Sequence, residues 1–443
     1  MSKFWARSVK ESTPRDTIRT LRNPLQQNGR RETRSDKMAQ LARDYHEQLL
    51  MVDWDLAAAP PQENLTAVLA NIDTQLSPES VATLQEDLTE GEIAVVLKES
   101  TNDKAAGLNG IPVELWKLLH QQYRSAKDDN KHNYCNVVQV LTVVFNDISA
   151  NGIAEGTSFN EGWMCPIYKK KAADDIANYR PITILNTDYK IITKAIATHL
   201  TGIALSIIHP DQVGFIRGRS IFDQIDQAAT TINYAALKGI NGAIVALDQE
   251  KAYDKITHPY LWEILTKFAF PKKMINTIKA LYRGAPTSVI VNGVVSSPFL
   301  VTRGVRQGDP MSCILFDLGI EPLAANIQVS PIQGIDVPSL NDKAKVSLFA
   351  DNMTVILTEH DSLLGLIEIL DDWCRVSGAK FNVEKTKIIP IGTPEFQRNL
   401  AETRIINTTG ERVPPSIHIT WDGDTTRLLG AWIGNDVDPM APW

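Results

Sequence analysis

The sequence has little cysteine: Cys135, Cys165, Cys313 and Cys374 are the four in 443 residues, and they lie far apart. They form no CxxC pair and no zinc spacing, so unpaired thiols in a reducing compartment are expected rather than a disulfide scaffold or a zinc module. No run of about 18 apolar residues occurs, so no apolar helical membrane span is expected. The opening MSKFWARSVKESTPRD has no apolar core of the kind a secretory leader needs. An intracellular location, nucleus or cytoplasm, is therefore expected. Internal repeats and low-complexity tracts are also missing. Nor is there an excess of positive charge: the net charge is −7, which by itself argues against a nucleic-acid binder.

What is present suits a globular protein with a sizeable core: 43% hydrophobic and 22% charged residues, with length for roughly three domains. The charge is uneven. Residues 1–50 hold eleven Lys/Arg against six Asp/Glu, a net +5, so the remainder carries −12. Any phosphate binding must come from local patches, and the arginines of the first segment, Arg15, Arg19, Arg22, Arg30, Arg31 and Arg34, are candidates for gripping phosphates. A disordered basic tail explains them equally well.

Helical spacing of Met38, Leu41, Tyr45 and Leu49 predicts a helix over SDKMAQLARDYHEQLL. Residues 51–80 read as a linker. Thr89 and Glu92 have capping-box spacing and predict a helix start. Pro112 opens another helix, and residues 121–134 read as a charged loop before a helical stretch from Val137 to Ile148. GWMCPIYKKK predicts a short strand and basic turn, and NYRPI a turn ahead of a long helix. GAIVALDQEKAYDKI predicts a buried strand turning into a helix. Asn292-Gly293 marks a hairpin turn. Helices are expected after Asp309 and over Ser362 to Ser377, the latter closed by Gly378.

Two carboxylates stand at strand ends. Asp248 follows the apolar run Ile244–Leu247, and Asp351 follows Val346–Ala350, with Asp351-Asn352 forming the polar tip of a hairpin. Strands that end in turn residues explain this pattern. So does a pair of carboxylates converging on divalent ions for phosphoryl transfer. Both readings are open on these residues alone.

Their neighbours come in one order: NYRPITILNTDYKIITKAIA, DQVGFIRGRSIFDQI, ALDQEKAYDKI, RGVRQGDPMSCILFDLGIEPLA, LFADN and KFNVEKTKIIPIG. Together they resemble the reverse transcriptase domain of non-long-terminal-repeat (LINE-type) retrotransposons, over about residues 90–436. The resemblance implies an α+β right-hand polymerase fold. Its antiparallel palm sheet would be covered by helices on one face, beside fingers of helices and strands, with the thumb largely absent because the chain ends just past LLGAWIG. Residues 1–85 would then be a basic N-terminal region and linker, 86–240 fingers-like, and 241–443 palm.

By the same resemblance the chain is an RNA-directed DNA polymerase using two-metal nucleotidyl transfer with Mg2+, Mn2+ being the substitute. Its partners would be an RNA template, a DNA primer and dNTPs, and no membrane. Asp248, Asp351 and the main-chain carbonyl of Gln249 would bind metal. Tyr253 would be the aromatic gate that rejects a 2′-hydroxyl. Gln307 and Gly308 would contact the nucleotide, and Lys169 and Arg180 would hold its triphosphate, whereas Asp309 before Pro310 reads as a helix cap. Lys385 would protonate the leaving pyrophosphate. Asn352 stands where the family has a second aspartate, so the site is one negative charge short. Ala106, Asn109, His199 and Arg217 also depart from the common pattern. The alternative is a catalytically inactive, nucleic-acid-binding remnant of a retroelement reading frame.

Overall fold

The computed structural model describes residues 17–25, 31–51, 62–128, 134–338, 340, 343–421, 426–428 and 431–433. Among the described residues, two five-stranded sheets, a two-stranded sheet of Thr426–Leu428 and Ala431–Ile433, and the helices around them make up this fold.

The second sheet in chain order carries both strand-end aspartates. Its strands are β3 (Gly242–Asp248), β7 (Val346–Phe349), β8 (Asn352–Thr358), β9 (Lys387–Ile391) and β10 (His418–Ile419), in the order β10-β9-β3-β8-β7. Neighbours run antiparallel except β9 and β10. The run Ala243–Leu247 does not alternate with polar residues, and the packing gives the reason. Ala243, Val245 and Leu247 face one core, while Ile244 joins another built with Ala228, Ile232, Ile356 and Ile389. A sheet buried on both faces needs apolar residues at every position. The expectation of helices on one face is corrected accordingly: helix Ile221–Lys238 covers the second face.

The other sheet contains β1 (Gly162–Tyr168), β2 (Tyr179–Leu185), β4 (Ala285–Val291), β5 (Val294–Val295) and β6 (Phe299–Val301). β1 pairs antiparallel with β2 and parallel with β4. Helix Ser35–Leu50 lies on this sheet, with Met38, Leu41 and Tyr45 in one core with Val289, Val291 and Phe299. Helix Ser312–Val329 is buried on nearly every side, packed among other helices and against β7. A helix that is apolar all round must sit in a protein interior, and this one does.

Several local expectations hold. The capping box at Thr89 and Glu92 is formed, Gly378 closes helix Leu363–Ser377 in the left-handed conformation, and Asn292 and Gly293 both take positive φ. Others need correction. Helices Gln62–Leu69 and Pro78–Gln85 occupy the expected linker, anchored by buried Leu65, Val68, Leu69 and Leu84. Helix Val113–Asp128 runs through the first part of the expected charged loop, because its polar residues form the solvent face of an amphipathic helix. The expected turn at NYRPI is strand β2, whose Pro181 stands opposite Pro166 of β1. The last part of the expected palm, residues 429–443, lies outside the described residues except for the short strand Ala431–Ile433.

Candidate active site

β3 and β8 pair in a register that sets Asp248 directly opposite Asn352. β7 ends at Phe349, which pairs with Asn352, so Ala350 and Asp351 form the turn. The expected tip therefore shifts by one residue: Asn352 opens β8 rather than sharing the turn. Asp351 is one residue from the partner of Asp248, and partners across such a ladder are about 5 Å apart. Ala350 takes φ +53, a left-handed conformation unusual for alanine.

One cavity of about 610 Å³ opens at this end of the sheet. Asp248, Gln249, Tyr253, Gln307, Gly308, Lys169, Arg180, Asp351 and Lys385 all line it. Asn352 is half-buried and is not part of that wall; its Nδ2 lies 3.5 Å from Asp351 Oδ1. Lys385 Nζ donates to Asp248 Oδ1 at 2.5 Å. The placement is local: Asn382 N–H donates to Asp248 O at 2.8 Å, Glu250 N–H donates to Lys380 O at 2.8 Å, and Lys385 closes the short turn that follows.

Burial raises the Asp351 carboxyl above its ordinary range, and the nearby Asp248 carboxylate raises it further, against Lys169 and Lys385. A cation between the two aspartates would relieve that repulsion. Burial lowers the Lys169 ammonium, and Arg180 lowers it further. Two carboxylates and nearby carbonyl oxygens are hard donors suited to magnesium or manganese. Among the described residues no three His, Cys, Asp and Glu side chains gather as a metal centre. A nucleotide-dependent magnesium site needs no such cage, since one or two carboxylates and the substrate phosphates suffice. Gln249 buries its side chain, whose amide atoms have no partner among the described residues.

The Tyr253 ring stacks on Phe316 at 4.8 Å between centroids and 8° between planes. Burial, then the Cys313 thiol beside it, raises its hydroxyl far above the usual range. Gln307 donates to Asp254 Oδ1 at 3.3 Å, and its carbonyl accepts from Thr183 N–H of β2 at 2.7 Å. A Cβ on Gly308 would lie 2.4 Å from Thr183 O, and its φ is +119, so only glycine fits. Asp309 is buried and accepts from the Tyr189 hydroxyl at 3.1 Å and from Met311 N–H at 3.0 Å; the expected helix cap is corrected, because the helix begins at Ser312 with Met311 as its N-cap and Asp309 holds the turn before it.

Sequence reasoning missed several residues of the wall. Asp254 is buried beneath Gln307, and burial pushes its carboxyl up to about 6 against Lys251. Lys251, at φ +51, donates to Ala177 O at 2.6 Å and lies 5.9 Å from the centre of the Tyr45 ring. Tyr45 and Phe215 line the cavity from distant segments. All four lie inside stretches already singled out, but nothing in their spacing marks the left-handed Lys251 or brings these residues to one cavity.

Two acids at paired strand ends, facing a cation-bearing strand pair, occur inside the stretch that a family model for reverse transcriptase (RNA-dependent DNA polymerase) matches, residues 167–420. That is more than half of the chain. The chain belongs to the reverse transcriptase family. Among curated relatives, a transposon TX1 uncharacterized 149 kDa protein of Xenopus laevis is 26% identical over 81% of this chain and 25% of its own length. The Pol polyprotein of the R2DM retrotransposable element of Drosophila melanogaster is 25% identical over 54% of this chain and 22% of its own length. The RNA-directed DNA polymerase from the mobile element jockey, also of Drosophila melanogaster, is 26% identical over 56% and 27%. This is thus a reverse transcriptase domain of the non-long-terminal-repeat kind, spanning about a quarter of the length of these relatives. Among its described residues no helix is long and apolar enough to cross a membrane.

Proposed function

We propose that this reverse transcriptase domain copies RNA into DNA by nucleotidyl transfer at the cavity between the two sheets. One observation carries this: Asp248 and Asp351 sit at adjoining strand ends and share a cavity with Lys169, Arg180, Gln307 and Tyr253. In right-hand terms, the sheet of β3, β8 and β7 is the palm within 241–443, the β1–β2 pair belongs to fingers within 86–240, and residues 1–85 form an N-terminal region. The substrates are an RNA template, a DNA primer and dNTPs.

Asp248, Asp351 and the Gln249 carbonyl would hold Mg2+ or Mn2+, which when bound neutralises phosphate charge and favours the ionised primer hydroxyl. Lys169 and Arg180 grip the triphosphate, Arg180 through a fork that matches phosphate oxygens. Gln307 and the bare backbone at Gly308 border the nucleotide. Tyr253, held flat on Phe316, leaves no room for a 2′-hydroxyl. Lys385 keeps an ammonium proton at Asp248 Oδ1 and delivers one to the leaving pyrophosphate when the pair opens. Asn352 contributes an amide where a carboxylate would add charge, so activity is weak in magnesium and better in manganese.

Primer extension on poly(rA)/oligo(dT) in each metal, with Asp248→Ala as the blank, tests this. Incorporation of dTTP above the blank is expected. No incorporation in either metal, with RNA binding retained, would establish the inactive remnant instead.

A further inference from the structure

The catalytic hairpin cannot hold its own tip. Ala350 is buried and left-handed, and its N–H lies beyond the last β7–β8 pair, Phe349 with Asn352. β7 is also the edge strand of its sheet. Both needs are met from one segment outside the sheet, Asp211–Gly214. Leu348 N–H donates to Asp211 O at 2.9 Å, and Val213 N–H donates to Leu348 O at 3.0 Å, so the segment pairs along the free edge of β7. Gln224 donates to both Asp211 O and Leu348 O and closes the join.

Gln212 is fully buried at the centre of this segment. Its side-chain oxygen accepts from Gly214 N–H at 3.0 Å and from Ala350 N–H at 3.3 Å. Both partners are donors, which fixes the orientation of the amide. Gly214 lets the two backbones meet: a Cβ there would stand 2.4 Å from Ala350 N. The segment is anchored from behind. Arg219 donates to the carbonyls of Ile208, His209 and Gln212, and Glu321 of helix Ser312–Val329 accepts from His209 N–H at 2.9 Å. That helix starts three residues after Asp309 in the loop that borders the nucleotide.

We propose that Gln212 is a positioning residue for Asp351: its side chain fixes the tip turn from outside the sheet and so sets where the carboxylate stands relative to Asp248. This rests on the proposed metal role of Asp351, but its first test does not. Gln212→Leu keeps the volume and removes the acceptor; Gln212→Glu keeps an acceptor oxygen; Gln212→Asn is too short to span the gap and replaces the leucine variant should that one fail to fold.

Amide hydrogen exchange at Ala350 should quicken about tenfold in Gln212→Leu or Gln212→Asn, the loss of one net hydrogen bond, and stay near wild type in Gln212→Glu. Mn2+ binding, followed by the paramagnetic signal of the free ion, should need about threefold to tenfold more metal in the first two variants, with RNA affinity unchanged. Unchanged exchange in a folded Gln212→Leu overturns the proposal. So does faster exchange with unchanged Mn2+ binding, which would make the contact purely structural. Neither readout requires polymerase activity, so an inactive wild-type chain would refute the proposed function without deciding this point.

Discussion

The β3–β8 ladder has a cavity of similar volume at each end, and only one of them holds the candidate site. At the Gly242–Thr358 end the volume is about 650 Å³, bordered by Tyr234, Asn241, Gln333, Asp336, Glu359 and His360. At the Asp248–Asn352 end it is about 610 Å³. At the far end Asn241 pairs with Glu359, and Thr358 with Asp361. Asn241 Nδ2 donates to Glu359 at 3.0 Å, Glu359 N–H returns to Asn241 O at 2.9 Å, and Asp361 accepts from both the N–H and hydroxyl of Thr358. At the near end, burial raises Asp351 and Asp254 and lowers Lys169 and Lys251. A closed polar network is finished structure; charged groups held at an electrostatic cost without full partners are waiting for a ligand. Charge left uncompensated, rather than volume, marks the working end.

The sharpest way to break this contrast is to substitute both ends. Asp248→Ala should lower primer extension by about 100-fold or more, a loss of the order seen when one preorganised charge-stabilising group is removed. His360→Ala or Glu359→Gln at the far end should stay within about twofold, the range of surface changes remote from a site. Comparable losses from the two ends, measured on folded proteins, would erase the distinction.

Next in size is sugar selection. Tyr253→Val, which keeps part of the packing on Phe316, should cut discrimination against ribonucleotides by about 10- to 100-fold, the reach of a shape-based filter. The readout is the ratio of kcat/KM for dTTP and UTP on the same template. A constant ratio would remove Tyr253 from the gate and leave it a core aromatic, which its stacking on Phe316 would equally explain.

Smaller again is the effect of returning a charge at position 352. Asn352→Asp should raise extension about tenfold in magnesium, a barrier change near 1.4 kcal/mol, and less in manganese. Asn352 lies opposite Asp248 in register but off the cavity wall, so its influence is electrostatic rather than by contact. Equal activity with Asn or Asp in both metals would mean that the near end needs only the two aspartates it has.

Much of this frame is legible in the order of the amino acids. Helix Ser35–Leu50, the Thr89 capping box and the Asn292-Gly293 turn are local signals, fixed by spacing and turn chemistry within a few residues. Asp248 and Asp351 are legible as strand ends, and their motifs suggest that they meet. What is not legible depends on distance in the chain. Helices Gln62–Leu69 and Pro78–Gln85 are two turns each, too short for periodicity to stand out from a loop. β2 alternates buried and open positions, but Pro181 argues against a strand in isolation, and only the pairing with β1 makes it one. Tyr45, Gln212 and Lys251 act through partners dozens to hundreds of residues away, and no local pattern encodes such pairings.

The smallest effect concerns whether phosphate binding extends beyond the near end to the basic N-terminal segment. The structure weakens that expectation for Arg22, Arg31 and Arg34. Arg22 pairs with Asp175 at 3.2 Å, Arg31 with Asp174 at 2.8 Å, and Arg34 with Asp36 at 2.9 Å. Asp174 and Asp175 precede the short turn Ile176–Asn178 that leads into β2, so Arg22 and Arg31 brace the strand pair that carries Lys169 and Arg180. Arginines committed to carboxylates release fewer counterions from RNA than free ones. Residues 1–16, with Lys3, Arg7, Lys10 and Arg15 against Glu11 and Asp16, lie outside the described residues and add a net +2. Deleting them should therefore flatten the slope of log affinity against log salt by no more than about 2 for single-stranded RNA, and change affinity at physiological salt only a few-fold. A deletion that flattens the slope by about 4 or more would move the main phosphate grip to the N-terminus, and the near end of the ladder would then be the place of chemistry without being the chief place of binding.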